Sequence, residues 1–181
     1  MSASAQNTGR AAMDGSVHEG SAAAMLELGR RVLAAQPFSV LLGARLVAFG
    51  PEGAELELPI TETLRQQYGF VHGGVVGYLA DNALTYAGGA ALGTEVVTAE
   101  YKINYLRPAL GERLVARSAV LHAGRNQAVC RCDVFVAGDR GETLCAVAQG
   151  TIVRLSQGRT QADREGSAAD GAPSMNSRSA R

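Results

Sequence analysis

The chain has 181 residues, of which 46% are hydrophobic and 19% are charged, a balance typical of one packed domain rather than a disordered polymer. Its 17 basic residues equal its 17 acidic ones, so there is no overall positive field to attract nucleic acid or an anionic membrane. Aromatic residues make up only 5% and Trp is absent, which argues further against a base-stacking surface.

The number and spacing of the cysteines argue against a disulfide-stabilised fold and against a zinc site. The three residues Cys130, Cys132 and Cys145 are odd in number and have no Cys-x-x-Cys spacing, so neither a disulfide framework nor a zinc site is expected. His18 and His122 also lack the spacing of metal ligands. We therefore expect reduced core cysteines and no bound metal.

The two ends of the chain differ in composition from its middle. Residues 1–21 and 156–181 are rich in Ser, Ala, Gly and Arg, which predicts disordered tails around one domain at 22–155. No hydrophobic signal segment is present, and acidic residues in the first tail argue against a transit peptide, so we expect a cytoplasmic protein. Segment 74–92 is apolar, but Asp81 and Asn82 within it favour a buried helix over a membrane span.

The first predicted elements are a helix and a β-hairpin. Apolar residues recur at helical spacing within 22–36, and Pro37 is expected to stop that helix. Segments 44–50 and 54–60 alternate between apolar and polar residues around the turn sequence GPEG, which predicts two paired strands. A long apolar helix is expected next, from Gly73 to about Gly89.

Four strand-like segments follow, at 96–106, 112–123, 127–137 and 142–155, and short turns suggest that they form a meander. The first of them shows clean two-residue alternation. The predicted order of elements is a helix, two strands, a long helix and four strands. This order predicts an α+β domain in which an antiparallel β-sheet is wrapped around the central helix. A sheet curled around the helix explains why that helix is apolar on nearly every side.

The central helix presents two faces when it is projected at 3.6 residues per turn. One face is made of large apolar side chains. The other is a stripe of small and weakly polar residues: Gly74, Gly77, Tyr78, Asp81, Thr85 and Gly88. Another backbone or a ligand can approach such a stripe closely, so Asp81 is expected to face an incoming group rather than the core.

Gly73 and Gly74 lie where this helix should begin. The first N–H groups of a helix have no internal partner and carry the positive end of its dipole. Two glycines therefore leave these donors open to a carbonyl oxygen, as in an oxyanion hole. A glycine-rich turn with a purely structural role is equally consistent with the spacing.

The distance along the helix has a consequence for quaternary structure. Gly74 and Asp81 are seven residues apart, or about 10 Å, whereas a base must lie within about 3–3.5 Å of its target. One subunit therefore cannot bring both to one carbonyl carbon. If they act together, two helices must pack antiparallel through the stripe, which predicts a homodimer with two composite sites.

Segment 69–87, GFVHGGVVGYLADNALTYA, resembles the signature of hotdog-fold acyl-CoA thioesterases of the phenylacetate-degradation (PaaI-like) type. Segment 98–109, TAEYKINYLRPA, is similar to the third strand of that family, and the order of elements agrees over about residues 37–155. The resemblance implies a dimeric hotdog fold, an acyl-CoA substrate and no cofactor. It also allows two dimers to pair into a tetramer.

The same resemblance implies roles for individual residues. Asp81 matches the catalytic acid, which acts as general base or nucleophile, and the Gly73 N–H matches the group that polarises the thioester carbonyl. Gln66 falls where relatives orient water or the carbonyl, and Thr98 falls near the attacking water. His72 either binds substrate or fixes the loop with a hydrogen bond.

Substrate-binding roles are implied at the surface as well. Arg125 and Asn126, in the turn between the fourth and fifth strands, lie where relatives contact coenzyme A, and Arg107 is a possible phosphate contact. Gln66 replaces an Asn found in many relatives, and Tyr68 is bulky for its loop, so both bear on the acyl pocket.

Three functions are consistent with these residues. The first is an acyl-CoA thioesterase that releases a free carboxylic acid and CoA. The second is a hotdog enoyl-CoA hydratase or dehydratase in which His72 and Asp81 move protons together. The third is a non-catalytic acyl-CoA-binding domain, in which Asp81 is a structural acid.

Overall fold

The computed structural model describes residues 22–155. The predicted tails, 1–21 and 156–181, lie outside the described residues. Three α-helices and six β-strands are present in the described part of the chain. They are α1 (22–34), α2 (Pro37–Leu42), β1 (Arg45–Gly50), β2 (Gly53–Pro59), α3 (Gly73–Leu92), β3 (Val96–Tyr105), β4 (Arg113–Ala123), β5 (Gln127–Gly138) and β6 (Gly141–Arg154).

The six strands form one antiparallel sheet in the order β1-β2-β4-β5-β6-β3. The predicted α+β class and the β1–β2 hairpin are confirmed. The predicted four-strand meander is wrong for β3, which pairs with β6 rather than β4. The segment between β3 and β4 crosses the ends of β6 and β5, where Leu106 N–H binds Cys145 O and Glu112 N–H binds Ala137 O. This crossing lets β4 pair with β2 and leaves β3 at the edge of the sheet.

The central helix α3 packs across the sheet and contacts all six strands. Its large apolar side chains, such as Leu79 and Leu84, are fully buried, which accounts for the apolar composition of this segment. The helix continues to Leu92, three residues beyond the predicted end. Gly93 follows with φ of 99°, a conformation that favours glycine, and the Arg154 guanidinium donates to Leu92 O at 2.9 Å.

Pro37 begins a helix instead of only ending one. Helix α1 ends at residue 34, and Pro37 occupies the first turn of the short helix α2, where its missing N–H has no cost. The sequence interpretation missed α2 because it treated the proline only as a stop. None of the helices within residues 22–155 is long and apolar enough to span a membrane.

The glycines of the small-residue stripe face the protein's own sheet. A Cβ atom on Gly88 would lie 2.5 Å from Ile152 Cβ, and one on Gly77 would lie 3.3 Å from Tyr101 Oη. Both glycines are buried within the subunit. Tyr101 of β3 therefore covers Gly77 and Ile152 of β6 covers Gly88, so at these two positions the small residue makes room for the subunit's own sheet.

The three cysteines are free and buried, as the sequence predicted. Burial raises the pKa of the Cys130 thiol to about 11, that of Cys132 to about 12 and that of Cys145 to about 11. The Cys145 thiol donates to Val134 O at 3.3 Å. These side chains are therefore neutral packing groups of the core at physiological pH.

Candidate active site

Asp81 lies in the middle of α3 and is half-buried beside β3. The Thr98 hydroxyl of β3 donates to Asp81 Oδ1 at 2.7 Å. The Thr85 hydroxyl, one turn further along α3, lies 2.9 Å from Asp81 O and 2.8 Å from Thr98 Oγ1. Thr98 therefore holds one oxygen of the carboxylate directly, and Thr85 contacts Thr98 rather than the carboxylate.

The second carboxylate oxygen, Asp81 Oδ2, accepts no hydrogen bond from residues 22–155. Every buried side-chain nitrogen or oxygen in that range has a partner, so Oδ2 is open rather than buried and orphaned. A cavity of about 420 Å³ lies beside it and is lined by Phe38, Ser39, Tyr78, Asp81, Asn82 and Thr85. An oriented carboxylate with one oxygen facing a cavity is the arrangement that a general base requires.

The wall of this cavity contains a buried chain of hydrogen bonds that sequence reasoning missed. Asn82 Nδ2 donates to Tyr78 Oη at 3.0 Å, Tyr78 donates to Ser39 at 2.7 Å, and Ser39 donates to Gln36 Oε1 at 2.6 Å. Ser39 belongs to α2, so the chain holds this helix against α3. This chain of hydrogen bonds leaves only a faint signal in the sequence, because Ser39 lies in α2, a helix that the sequence did not predict.

The N-terminus of α3 begins at His72, whose side chain caps the helix. The Gly74 N–H donates to His72 Nδ1 at 2.9 Å, so the loop-fixing alternative for His72 is the one observed. The Gly74 N–H is therefore already used in this structure, and a role for Gly74 in substrate binding stays a prediction. The Gly73 N–H forms no hydrogen bond with residues 22–155, so it is the available donor at this helix end.

Gly73 opens onto a groove of about 310 Å³ lined by Phe70, Gly73, Val76, Tyr105, Leu106 and Arg107. Most of this lining is apolar, and Arg107 supplies a cation at its edge. The structure therefore brings together two of the predicted residues, Gly73 and Arg107. A carbonyl at the Gly73 N–H would meet both the positive end of the helix dipole and this guanidinium.

Gln66 lies in the loop before α3, at the same end of the helix as Gly73. Its side-chain Oε1 accepts the Tyr68 N–H at 3.2 Å, and its backbone N–H binds Phe70 O at 2.9 Å. Tyr68 itself is exposed and stacks on Phe70 with ring centroids 6.3 Å apart. The Gln66 carbonyl therefore shapes the loop, and its amide N–H groups are the part that can face a ligand.

Arg125 and Asn126 lie at the opposite end of α3. Both are exposed, and Asn126 O accepts the Arg154 N–H at 2.9 Å. Because the Arg154 side chain binds Leu92 O, the turn lies beside the C-terminus of the helix. Within one subunit these residues are separated from Gly73 by nearly the full 20-residue helix, about 30 Å.

The two catalytic groups of the thioesterase hypothesis are also separated within one chain. Gly73 and Asp81 are eight residues apart on α3, or about 12 Å along its axis. His72 lies one residue further away, so the groups of the hydratase alternative are separated within one chain in the same way. Within residues 22–155, no group of three His, Cys, Asp or Glu side chains could hold a metal ion.

Known proteins share both this sequence and this fold. The profile of the thioesterase superfamily matches residues 68–143. A thioesterase family protein from Silicibacter pomeroyi is 36% identical, with a TM-score of 0.64 over 70% of this chain and 94% of that chain. A thioesterase from Haemophilus influenzae is 28% identical, with a TM-score of 0.64 over 75% of this chain and 94% of that chain.

The fold also matches the PaaI protein from the phenylacetic acid degradation operon of E. coli. That protein is 22% identical, with a TM-score of 0.63 over 71% of this chain and 91% of that chain. The thioesterase superfamily match at residues 68–143 contains Gly73, Asp81 and Thr98. The chain belongs to the thioesterase superfamily, and its antiparallel sheet on a long central helix is the hotdog fold.

Proposed function

We propose that this protein hydrolyses acyl-CoA thioesters to a free carboxylic acid and coenzyme A. The observation that carries the proposal is the Asp81 carboxylate, which Thr98 holds by one oxygen while the other oxygen is open to a cavity. A thioester needs only a polarised carbonyl and one positioned base for hydrolysis. No cofactor or metal is needed for this chemistry.

Each step can be assigned to a group of this chain. Asp81 removes a proton from water as the oxygen of that water attacks the thioester carbon, and the Gly73 N–H binds the negative charge that develops on the carbonyl oxygen. The carbon–sulfur bond then breaks, and the proton held by Asp81 passes to the departing thiolate. Direct attack by Asp81 through an anhydride is the variant in which the same carboxylate is the nucleophile.

The reacting groups must come from two subunits in this proposal, because about 12 Å separates Gly73 from Asp81 along one helix. The edge strand β3 supports a partner on this side: Val97, Tyr101 and Tyr105 are exposed there although all three are large apolar or aromatic residues. In the proposed dimer, Gly73 of one subunit meets Asp81 of the other. A dimer of dimers stays compatible with this site.

The proposed pairing of Gly73 with the partner's Asp81 also suggests how coenzyme A is held. If Gly73 lies opposite the partner's Asp81, the partner's helix end at Leu92 lies about 16 Å beyond Gly73. Arg125 and Asn126 of the partner subunit then face the outer end of the groove that contains Arg107. We propose that these three residues bind the polar portion of coenzyme A, with the arginines pairing with its phosphates.

The first experiment measures release of free thiol from a panel of acyl-CoA esters by the wild type and by Asp81→Asn. Asn keeps the shape of the side chain and an oxygen that can accept from Thr98, so the fold should remain. We expect turnover to fall about 10³-fold because the base is lost. Unchanged turnover in a folded Asp81→Asn variant would refute the assignment.

The second experiment tests whether each site is shared between subunits. Gly73→Pro removes the N–H at a position where proline is favourable, because His72 before it has an extended conformation with ψ of 134°. Gly73→Ala is the matched control, which keeps the N–H and adds a Cβ atom at an ordinary 3.5 Å from Tyr105. We expect Gly73→Pro to lose about 10²-fold or more in kcat and Gly73→Ala to stay within a few-fold.

Co-expression of Gly73→Pro with Asp81→Asn then gives a complementation assay. In a shared site, each mixed dimer has one site with both defects and one site with neither, so about a quarter of wild-type activity returns on random assembly. If both groups acted within one subunit, every site would keep one defect and no activity would return. The purified mixed dimer, isolated with two different tags, distinguishes these results.

A further inference from the structure

Strand β3 contains a β-bulge that changes which of its side chains face the central helix. Thr98 pairs with Ile152, Glu100 with Thr151 and Tyr101 with Gly150, so one extra residue is inserted between Thr98 and Glu100. In a regular strand, residues three apart point to opposite faces. The bulge therefore places Tyr101 on the same helix-facing side as Thr98, in contrast to the clean alternation that the sequence suggested.

The Tyr101 hydroxyl lies over Gly77, which is midway between Gly73 and Asp81 of the same chain. A Cβ on Gly77 would lie 3.3 Å from Tyr101 Oη and 3.5 Å from Tyr105 Oη, so only a residue without a side chain leaves this space. Gly77 is one turn from Gly73 and one turn from Asp81. The Tyr101 hydroxyl is therefore about 6 Å along the helix from the Gly73 N–H.

This hydroxyl differs from those of three other tyrosines on or against α3. Tyr78, Tyr86 and Tyr105 donate to Ser39 Oγ, Gly29 O and Gly73 O. Tyr101 Oη makes no hydrogen bond with residues 22–155, and the residue is 37% exposed. Burial and then the Asp81 carboxylate raise the pKa of Tyr101, so its hydroxyl remains a hydrogen-bond donor at neutral pH.

We propose that Tyr101 selects acyl thioesters that carry an oxygen on C3, such as 3-hydroxyacyl esters, by donating a hydrogen bond to that oxygen. The inference rests on the proposed function, because it places the thioester carbonyl at the Gly73 N–H. The two donors, the Gly73 N–H and the Tyr101 hydroxyl, are about 6 Å apart along the helix, and each would lie about 3 Å from the oxygen that it binds. Two substrate oxygens separated by a few ångströms suit this pair of donors. Oxygens on C1 and C3 of an acyl chain have that separation.

The test compares kcat/KM for a straight-chain acyl-CoA and for its 3-hydroxyacyl counterpart of equal length. Tyr101→Phe removes only the hydroxyl and keeps the ring that covers Gly77. We expect the wild type to prefer the hydroxylated ester about tenfold, because one hydrogen bond discriminates by roughly that factor. In Tyr101→Phe, the rate on the hydroxylated ester should fall to that on the plain ester, which should not change.

Tyr105→Phe is the matched control. The Tyr105 hydroxyl already binds Gly73 O, so its removal should change both substrates by the same factor. An equal loss on both esters in Tyr101→Phe, or no change on either, would overturn the inference.

A binding measurement separates this inference from the hydrolase proposal. Dissociation constants for the same two esters are measured on Asp81→Asn and on Asp81→Asn with Tyr101→Phe, where turnover does not interfere. A tenfold preference that disappears with Tyr101→Phe supports the role of Tyr101 even if the wild type hydrolyses neither ester, an outcome that would reject the hydrolase alone. Equal dissociation constants in all four cases would reject the role of Tyr101.

Discussion

The central helix carries two neighbouring stripes of side chains that differ by one residue in register. The open stripe consists of Gly77, Asp81 and Thr85 and faces β3, whereas the closed stripe consists of Tyr78, Asn82 and Tyr86 and faces α1 and α2. In the closed stripe, the Tyr78 and Tyr86 hydroxyls and the Asn82 amide all bind groups of the same chain. In the open stripe, Asp81 Oδ2 accepts no hydrogen bond from residues 22–155.

The comparison shows how one helix separates structure from chemistry. The closed stripe anchors α1 through Gly29 and α2 through Ser39, so its polar groups contribute to the stability of the fold. The open stripe keeps an unused acceptor beside a cavity, which is of little use to stability but is required for a base. Substitutions in the two stripes should therefore affect different measurements.

The largest effect is expected from Asn82→Asp, which places a charge in the closed stripe. Asn82 is only 9% exposed and its Nδ2 donates to Tyr78, so an ionised carboxylate there would lose this hydrogen bond or take the Tyr78 hydroxyl away from Ser39. We expect a loss of about 3 kcal/mol in the free energy of unfolding at pH 7, measured by urea denaturation. Because Asn82 also lines the cavity beside Asp81, the unfolding free energy rather than kcat is the measurement for this variant.

This substitution has a pH dependence of known sign. Burial raises the folded-state pKa of a carboxyl group at position 82 above its unfolded value, so the stability deficit is small in acid, where both states are protonated. The deficit grows as the pH rises through the folded-state pKa. A deficit that stayed constant between pH 4 and about pH 7 would show that lost packing, rather than a buried charge, is responsible.

A smaller effect is expected from Thr98→Val in the open stripe. Val keeps the β-branched shape that suits β3 but removes the hydrogen bond to Asp81 Oδ1. We expect kcat to fall about tenfold to 150-fold, because a hydrogen bond to a charged group contributes roughly 1.5–3 kcal/mol to its orientation and energy. Thr98→Ser should restore most of the rate. If Val and Ser gave equal rates, Thr98 would not position the base.

The smallest effect is expected from Tyr86→Phe in the closed stripe. The Tyr86 hydroxyl donates to Gly29 O at 2.8 Å, and burial and then Tyr78 raise its pKa to about 12. Removal of this hydroxyl should cost about 1 kcal/mol of unfolding free energy at pH 7, with no change in kcat. Loss of activity with unchanged stability would place this residue in the open stripe and contradict the comparison.

Sequence patterns predicted the parts of this molecule that depend on local order. The apolar run of α3, the turn between β1 and β2 and the glycines before Val75 are visible in short windows, and the resemblance added Asp81 with Thr98. The position of β3 beside β6 depends on a crossing segment whose path is set by pairing between distant strands, so local patterns could not reveal it.

The missed parts of the site have a similar cause. A bulge adds a single residue and leaves no mark on composition, so the orientation of Tyr101 was hidden until its pairing with Gly150 was known. The chain from Asn82 to Ser39 joins residues 43 apart in sequence. The use of the Gly74 N–H by His72 was hidden for a different reason, because the His72 ring could equally have turned toward a ligand.

The buried cysteine thiols of the core affect the background of a colorimetric assay for coenzyme A. Colorimetric reagents that detect coenzyme A do so by reacting with any thiolate they can reach. Cys130, Cys132 and Cys145 are enclosed and held in the protonated form, so the native enzyme should contribute no background colour. A slow increase in colour in a blank without substrate would then report unfolding of the protein. The blank therefore serves as a control for the integrity of the sample.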